Sequence, residues 1–360
     1  MCSSDLLTID GLDWASVVAG DDALGAAVKA TKEQLRALPD GLTYGLLRYL
    51  NADIDLGGSD PVIGFNYLGR LGAAADLPGE LWRLSPDSLS LSAAAAAVAM
   101  PLMHTVDLNA GTMDTEDGPH LHANWTWAAS AMDRERISQL SRLWFEALAG
   151  ICAHVQGGGG GLTPSDIAPA RLNQQQIDEL SKQHQIADIL PLTPLQQGLL
   201  FHASFAQDPG DDVYAVQLGI TVTGALDSQR LHEAVHAVVN RHPNLAARFC
   251  PQFGEPVQVI PADPVMAWRY IQLGPEDRDP ERRVEELCAA ERAAVSDLAN
   301  RPAFRAALIR TADSRFRFVL TNHHIVMDGW SLPILLREIL AHYYGDQLPA
   351  PATYRSYLSW

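Results

Sequence analysis

Residues 315–344 read R-F-R-F-V-L-T-N-H-H-I-V-M-D-G-W-S-L-P-I-L-L-R-E-I-L-A-H-Y-Y, and the spacing of their apolar positions changes midway. Phe316, Phe318 and Leu320 alternate with Arg317 and Val319, which predicts a strand buried mainly on one face. From Leu332 the spacing is helical, through Leu335, Leu336, Ile339, Leu340 and Tyr343. Ser331 suits the N-cap, and Pro333 falls in the first turn, where its missing N–H is tolerated. Between strand and helix stand His323, His324, Asp328 and Gly329. The strand end fixes the backbone, the next turn brings Asp328 back towards it, and Gly329 permits a tight bend. That is the geometry of a positioned base. A histidine at a strand end is equally a solvated or hydrogen-bonded structural residue, and this stretch alone leaves both readings open.

Composition narrows the classes. The chain has 360 residues, 47% hydrophobic and 19% charged, as in soluble globular proteins, and is long enough for two or three domains. A net charge of −17 disfavours nucleic acid and anionic membrane surfaces as partners. The alanine-rich run from Ala93 to Met103 is too short to span a bilayer, and no signal-peptide pattern is visible. Cys2, Cys152, Cys250 and Cys288 lack CxxC spacing, so thiols in a reducing cytoplasm are expected rather than disulfides or zinc ligands. No glycine-rich phosphate loop follows a strand, and nucleotide binding has no support. His104, His120, His122 and His154 match no common metal-site spacing.

The first six residues, M-C-S-S-D-L, match what a common sequencing-adapter end encodes in frame, and are set aside as an artefactual start. Leu24 to Leu38 predicts a helix, with Leu24, Ala27, Val28, Leu35 and Leu38 largely on one face and Pro39-Asp40-Gly41 ending it. Val62 to Arg70 predicts a strand ending in a glycine turn. Met103–Ala110 and His122–Trp127 alternate like paired strands, and Asp133–Val155 like a helix. Gly157 to Gly161 cannot hold regular structure and reads as a flexible linker, extended here over residues 156–187. Beyond it, Asp212–Thr223 alternates as a strand. Asp227 caps a helix carrying Leu231, Ala234, Val235, Val238 and Val239 on one face. Glu281–Leu298 predicts an acidic amphipathic helix with a solvated face, and Ala306–Arg310 a strand beside the Phe316 strand.

Several of these stretches resemble one family in the right order. N-H-H-I-V-M-D-G-W-S resembles the HHxxxDG signature of the condensation-domain superfamily of nonribosomal peptide synthetases. D-I-L-P-L-T-P-L-Q-Q-G-L-L-F-H-A, residues 188–203, resembles its first motif. N-R-H-P-N-L-A-A-R-F, residues 240–249, resembles R-H-x-x-L-R-x-x-F, with Ala246 at the second arginine and Arg248 two residues later. Y-R-S-Y-L-S-W at the end resembles the next motif, with Ser356 for its aspartate. Upstream, P-D-G-L-T-Y-G-L-L-R-Y-L (residues 39–50, with Tyr44 and Gly45) and F-N-Y-L-G-R (Phe65, Asn66, Tyr67 and Gly69 among them) resemble closing motifs of epimerization domains.

The resemblance implies two incomplete α/β lobes of chloramphenicol-acetyltransferase-like architecture, mixed sheets with flanking helices. Residues 7–155 would be the C-terminal lobe of an epimerization-type domain, without its own histidine motif, and 188–360 the N-terminal lobe of a condensation domain. It also implies peptide bond formation between thioesters carried by 4'-phosphopantetheine on carrier-protein domains, with an adenylation domain as neighbour and no directly bound cofactor. The domain order implies a D-configured donor and an L-configured acceptor. His324 would accept the proton from the attacking amine or orient it, since imidazole titrates near about 6.5. His323 and Asp328 would hold the loop, backbone N–H groups near Gly329 would stabilise the oxyanion, and either Arg241 or Arg248 would pair with Asp328. A noncatalytic module contacting carrier domains and a coenzyme A-dependent HHxxxDG acyltransferase are the alternatives.

Overall fold

The computed structural model describes residues 9–38, 42–54, 61–71, 102–115, 117–205, 213–274 and 276–360. Met1–Leu6, the turn at Pro39–Gly41, most of the Ala93–Met103 run and Asp212 lie outside the described residues. Two compact units emerge, Met1–Gly160 and Gly161–Trp360.

In the first unit, helices Trp14–Ala19 and Asp22–Ala37 start at the carboxylates of Asp13 and Asp21, which accept hydrogen bonds from first-turn N–H groups. Leu24 is buried, whereas Val28 and Leu35 remain exposed on the expected apolar face. Strands β1 (Ile63–Leu71), β2 (Val106–Thr115) and β3 (Gly118–Trp127) form a sheet in that order, β1 parallel and β3 antiparallel to β2. Val106, Leu108 and Ala110 point to the buried side, as their alternation requires. Helix Arg134–Gln156 starts at Asp133, and its Trp144 meets Trp125 of β3 edge to face with ring centroids 6.2 Å apart. Gly69 does not end β1. It sits at φ +83 where the register with β2 shifts between Tyr67 and Arg70, so the glycine makes a bulge and the strand continues to Leu71.

The second unit contains β4 (Ile186–Pro191), β5 (Ala215–Thr223), β6 (Arg248–Cys250), β7 (Val257–Pro261), β8 (Ala267–Gln272), β9 (Phe304–Ala312) and β10 (Arg315–His323). They form two sheets, ordered β5-β10-β9-β8 and β4-β7-β6. Helix Ser228–Arg241, capped by Asp227, buries the five residues its period marks out, Leu231, Ala234, Val235, Val238 and Val239. With Leu335 and Ile339 of helix Ser331–Tyr344, they pack on Phe304, Leu308, Phe318 and Leu320 of the larger sheet. Each fully buried Val or Leu contributes roughly 1.5–3 kcal/mol.

Two expectations need correction. Strand β10 is buried on both faces, because Leu287 of helix Pro280–Ala294 packs on Ala307, Ile309 and Val319 behind it. That helix therefore does more than face solvent. Its Glu291 is buried and ion-paired to Arg305 at 2.7 Å and Arg269 at 3.4 Å. Secondly, little of residues 156–187 is loose. The N–H groups of Gly157, Gly158 and Gly159 close the preceding helix on the carbonyls of Ala153, Val155 and His154. After Gly161, Ile167, Leu172, Ile177 and Leu180 pack against Ile189, Val257 and Val259 of the smaller sheet. Helix Gln174–Gln183 opens with a reciprocal capping box between Asn173 and Gln176. The apolar residues hidden among the polar ones tie this stretch to the sheet.

Candidate active site

The last residue of β10 is His323, and the loop to the helix beginning at Ser331 carries the rest of the sequence-marked cluster. His323 is completely buried. Its N–H continues the ladder to the Ala303 carbonyl at 2.8 Å, and its Nδ1 accepts the Ile325 N–H at 3.0 Å. Nδ1 thus carries a lone pair, and the ring braces the turn from within.

His324, the first residue of the turn after β10, is half-buried. Its N–H donates to the Tyr214 carbonyl at 3.0 Å. Its Nδ1 lies 3.2 Å from the Met327 carbonyl, which can only accept, so Nδ1 bears the proton and donates it. In the neutral ring this leaves the lone pair on Nε2, the arrangement a proton acceptor needs.

Asp328 is exposed, and Oδ1 accepts from both the N–H of Ser331 (2.9 Å) and its hydroxyl (2.6 Å). These bonds, the hydroxyl's first, hold the Asp328 carboxyl below the usual aspartate range. Ser331 is the first helical residue and a donor, not the cap. Trp330 holds the N-cap position with helical backbone angles and no capping side-chain bond, and Asp328, two residues before it, supplies the acceptor for the Ser331 N–H instead. Gly329 does not adopt a positive φ, and nothing lies within 4 Å of where its Cβ would stand. The bend does not depend on glycine there; what glycine leaves is open space beside the helix start.

Neither arginine pairs with Asp328. Arg241 donates from Nε to Glu338 Oε2 at 3.1 Å and also binds the Pro349 carbonyl. His242 Nε2 reaches the same Glu338 oxygen at 2.7 Å, and that carboxylate is buried. Arg248 donates to the Asn300 carbonyl at 3.1 Å. An exposed Asp328 already served by Ser331 gives a cation little to compensate, whereas a carboxylate on the packed side of a helix demands one.

One further side chain braces this loop directly, and a second supports it from the neighbouring sheet. Gln196, in the first motif, is buried and donates to the Ile325 carbonyl at 2.9 Å, while its Oε1 accepts the Thr193 N–H at 3.0 Å. Gln258 of β7 donates to the Pro191 carbonyl at 2.9 Å and lies 3.4 Å from Gln196 Oε1. Burial pushes the pKa of the Tyr354 hydroxyl up, partly offset by the nearby Gln258 and Gln196 side chains. Nearby, Arg355 forks onto both oxygens of Asp188 in β4, joining the last motif to the first.

In the first unit, Tyr44 in the helical turn Leu42–Gly45 accepts a bond from Arg48 in the turn Leu46–Leu50 that follows. Phe65 is exposed, Asn66 donates to Asn109 at 3.3 Å, and the Tyr67 hydroxyl lies 2.9 Å from that of Thr112. These are cross-strand pairs between β1 and β2. His104 and His154 are each taken up by a backbone carbonyl, of Pro61 and Gly20. Among the described residues, no group of three or more His, Cys, Asp or Glu is placed to hold a metal ion, and no helix is long and apolar enough to cross a membrane.

The condensation-domain family model matches residues 186–360. One polypeptide of the linear gramicidin synthase of Brevibacillus parabrevis is 34% identical over 329 residues, covering 89% of this chain and 4% of that protein. Another polypeptide of the same synthase is 33% identical over 353 residues, covering 93% of this chain and 7% of that protein. The chain therefore spans less than a tenth of either relative. Among solved structures, the starter condensation domain of rhizomide synthetase is 18% identical with a TM-score of 0.42, covering 48% of this chain and 42% of that chain.

Proposed function

Residues 186–360 belong to the condensation-domain family of nonribosomal peptide synthetases, and from that premise we propose that this unit serves peptide bond formation between two thioesters carried on phosphopantetheine arms. The arms belong to carrier domains and enter as substrate; an adenylation domain of the same synthetase supplies the activated amino acids. The first unit is read as the closing lobe of an epimerization domain, on the motifs around Tyr44 and Phe65. That order implies a D-configured donor and an L-configured acceptor.

In the reaction, the acceptor amine attacks the donor thioester carbonyl. The new C–N bond forms, the C–S bond breaks, and the amine proton ends on the departing sulfur. An α-ammonium with pKa about 7.7–8.0 is partly neutral near pH 7, so the demand on a base is modest. His324 is assigned as the group that orients the amine and receives its proton at Nε2. The observation that carries this is its Nδ1–H bond to the Met327 carbonyl, which leaves Nε2 the acceptor. His323, sealed inside, positions the loop. Asp328 anchors the helix start, and the oxyanion is assigned to the open space beside Gly329, where backbone N–H groups of the turn would have to donate to it.

The test is a single-turnover assay with donor- and acceptor-loaded carrier proteins. A dipeptidyl carrier product that disappears with His324→Ala is expected. Full turnover by a folded His324→Ala protein would overturn the assignment.

A further inference from the structure

Both backbone polar groups of Ile325 are held by side chains. Its N–H goes to His323 Nδ1 at 3.0 Å, and its carbonyl to Gln196 Nε2 at 2.9 Å. Ile325 itself is buried. It directly follows His324 and begins the turn that returns the Met327 carbonyl to His324 Nδ1. Support for the Ile325 carbonyl from outside the loop comes from Gln196, fixed in turn by Thr193 and Gln258.

We propose that Gln196 is a positioning residue for His324: by anchoring the Ile325 carbonyl it keeps the turn that places the proton on Nδ1 and the lone pair on Nε2. The inference rests on the reading of His324 as the proton acceptor, but it makes a claim of its own about tautomer. In water the neutral imidazole favours the proton on Nε2, and the Met327 carbonyl must reverse that preference. It can do so only if the turn stays closed, because a hydrogen bond weakens steeply with distance and angle. A buried amide is suited to this: Nε2 donates to the loop while Oε1 is occupied at the motif's own helix start, so the side chain cannot rotate without losing both bonds.

Two substitutions test it. Gln196→Met keeps the volume and removes both bonds; Gln196→Glu keeps the acceptor and removes the donor. The ring ¹⁵N shifts of His324, measured above the imidazole titration range, report the tautomer without any turnover. In the wild type Nδ1 is the protonated nitrogen. In either variant the Nε2–H form is expected to become substantial, with kcat down by roughly 10–100-fold and KM for loaded carriers within about twofold. Circular dichroism establishes which variant is folded, and Gln196→Glu carries the test if Gln196→Met is not. An unchanged Nδ1–H tautomer in a folded variant overturns the proposal, as does unchanged kcat. His324→Ala separates the two claims: an inactive His324→Ala beside an unaffected Gln196→Met defeats only the role of Gln196, whereas an active His324→Ala defeats the reading beneath it.

Discussion

Arg241 is bonded to Glu338 at 3.1 Å, joining the end of one core helix to the middle of the other. His242 shares the same carboxylate oxygen at 2.7 Å. Removing the carboxylate would leave a largely buried guanidinium without its partner. Glu338→Ala is expected to destabilise the second unit by about 3–5 kcal/mol, and the double change Arg241→Met, Glu338→Leu by much less. Urea unfolding of both variants checks this; equal losses would mean that packing rather than charge holds the site.

His324→Ala is expected to lower condensation by about 10²–10⁴-fold, the range of a lost general base. Its thermal midpoint should stay near the wild-type value, because the ring is half-buried and makes one loop bond. Quench-flow turnover alongside calorimetry separates the two effects.

Asp328→Ala removes the acceptor for two Ser331 donors at a helix start. A loss of about 1 kcal/mol is expected. The folded carboxyl has a depressed pKa, so the stabilisation is fully present above the ordinary aspartate range, near about 4. It fades as pH falls through the lower folded value. A wild-type-minus-variant difference in stability that shrinks on acidification in this window is the expected result; one that grows would reverse the sign of the linkage.

Ile177→Ala is expected to destabilise the second unit by about 2–5 kcal/mol, since its side chain is fully buried in the cluster with Ile189 and Val259. If residues 162–183 were only a tether, the change would cost nothing measurable by chemical denaturation.

Much of this fold was legible from period alone. The helix carrying Leu231 to Val239 buries the face its spacing marks, and the Phe316 strand neighbours the one before it. What the spacing did not carry was what lies behind a sheet. Alternation around Phe318 looks one-sided whether or not Leu287 packs behind Val319, because that helix enters from about 30 residues upstream. The site divides the same way. The His–His–Asp cluster stands out by residue type, and its histidines do stand together where β10 runs into the loop. The partner of Arg241 was hidden by a familiar motif that directed attention to Asp328. One signal was available: Glu338 falls between Leu335 and Ile339 on the apolar face, where a carboxylate needs a cation. Gln196 carried a weaker mark, an amide three residues after Thr193 in a helix-start pattern. Its second bond, to a carbonyl 129 residues away, has no trace in local sequence.

The packing of residues 162–183 onto the smaller sheet bears on where the chain can be cut and rejoined. A chimera cut after residue 187 would graft a lobe whose apolar underside expects Ile177 and Leu180 from its own parent. A crossover within Gly157–Gly161 would instead keep residues 162–183 with the sheet on which they pack.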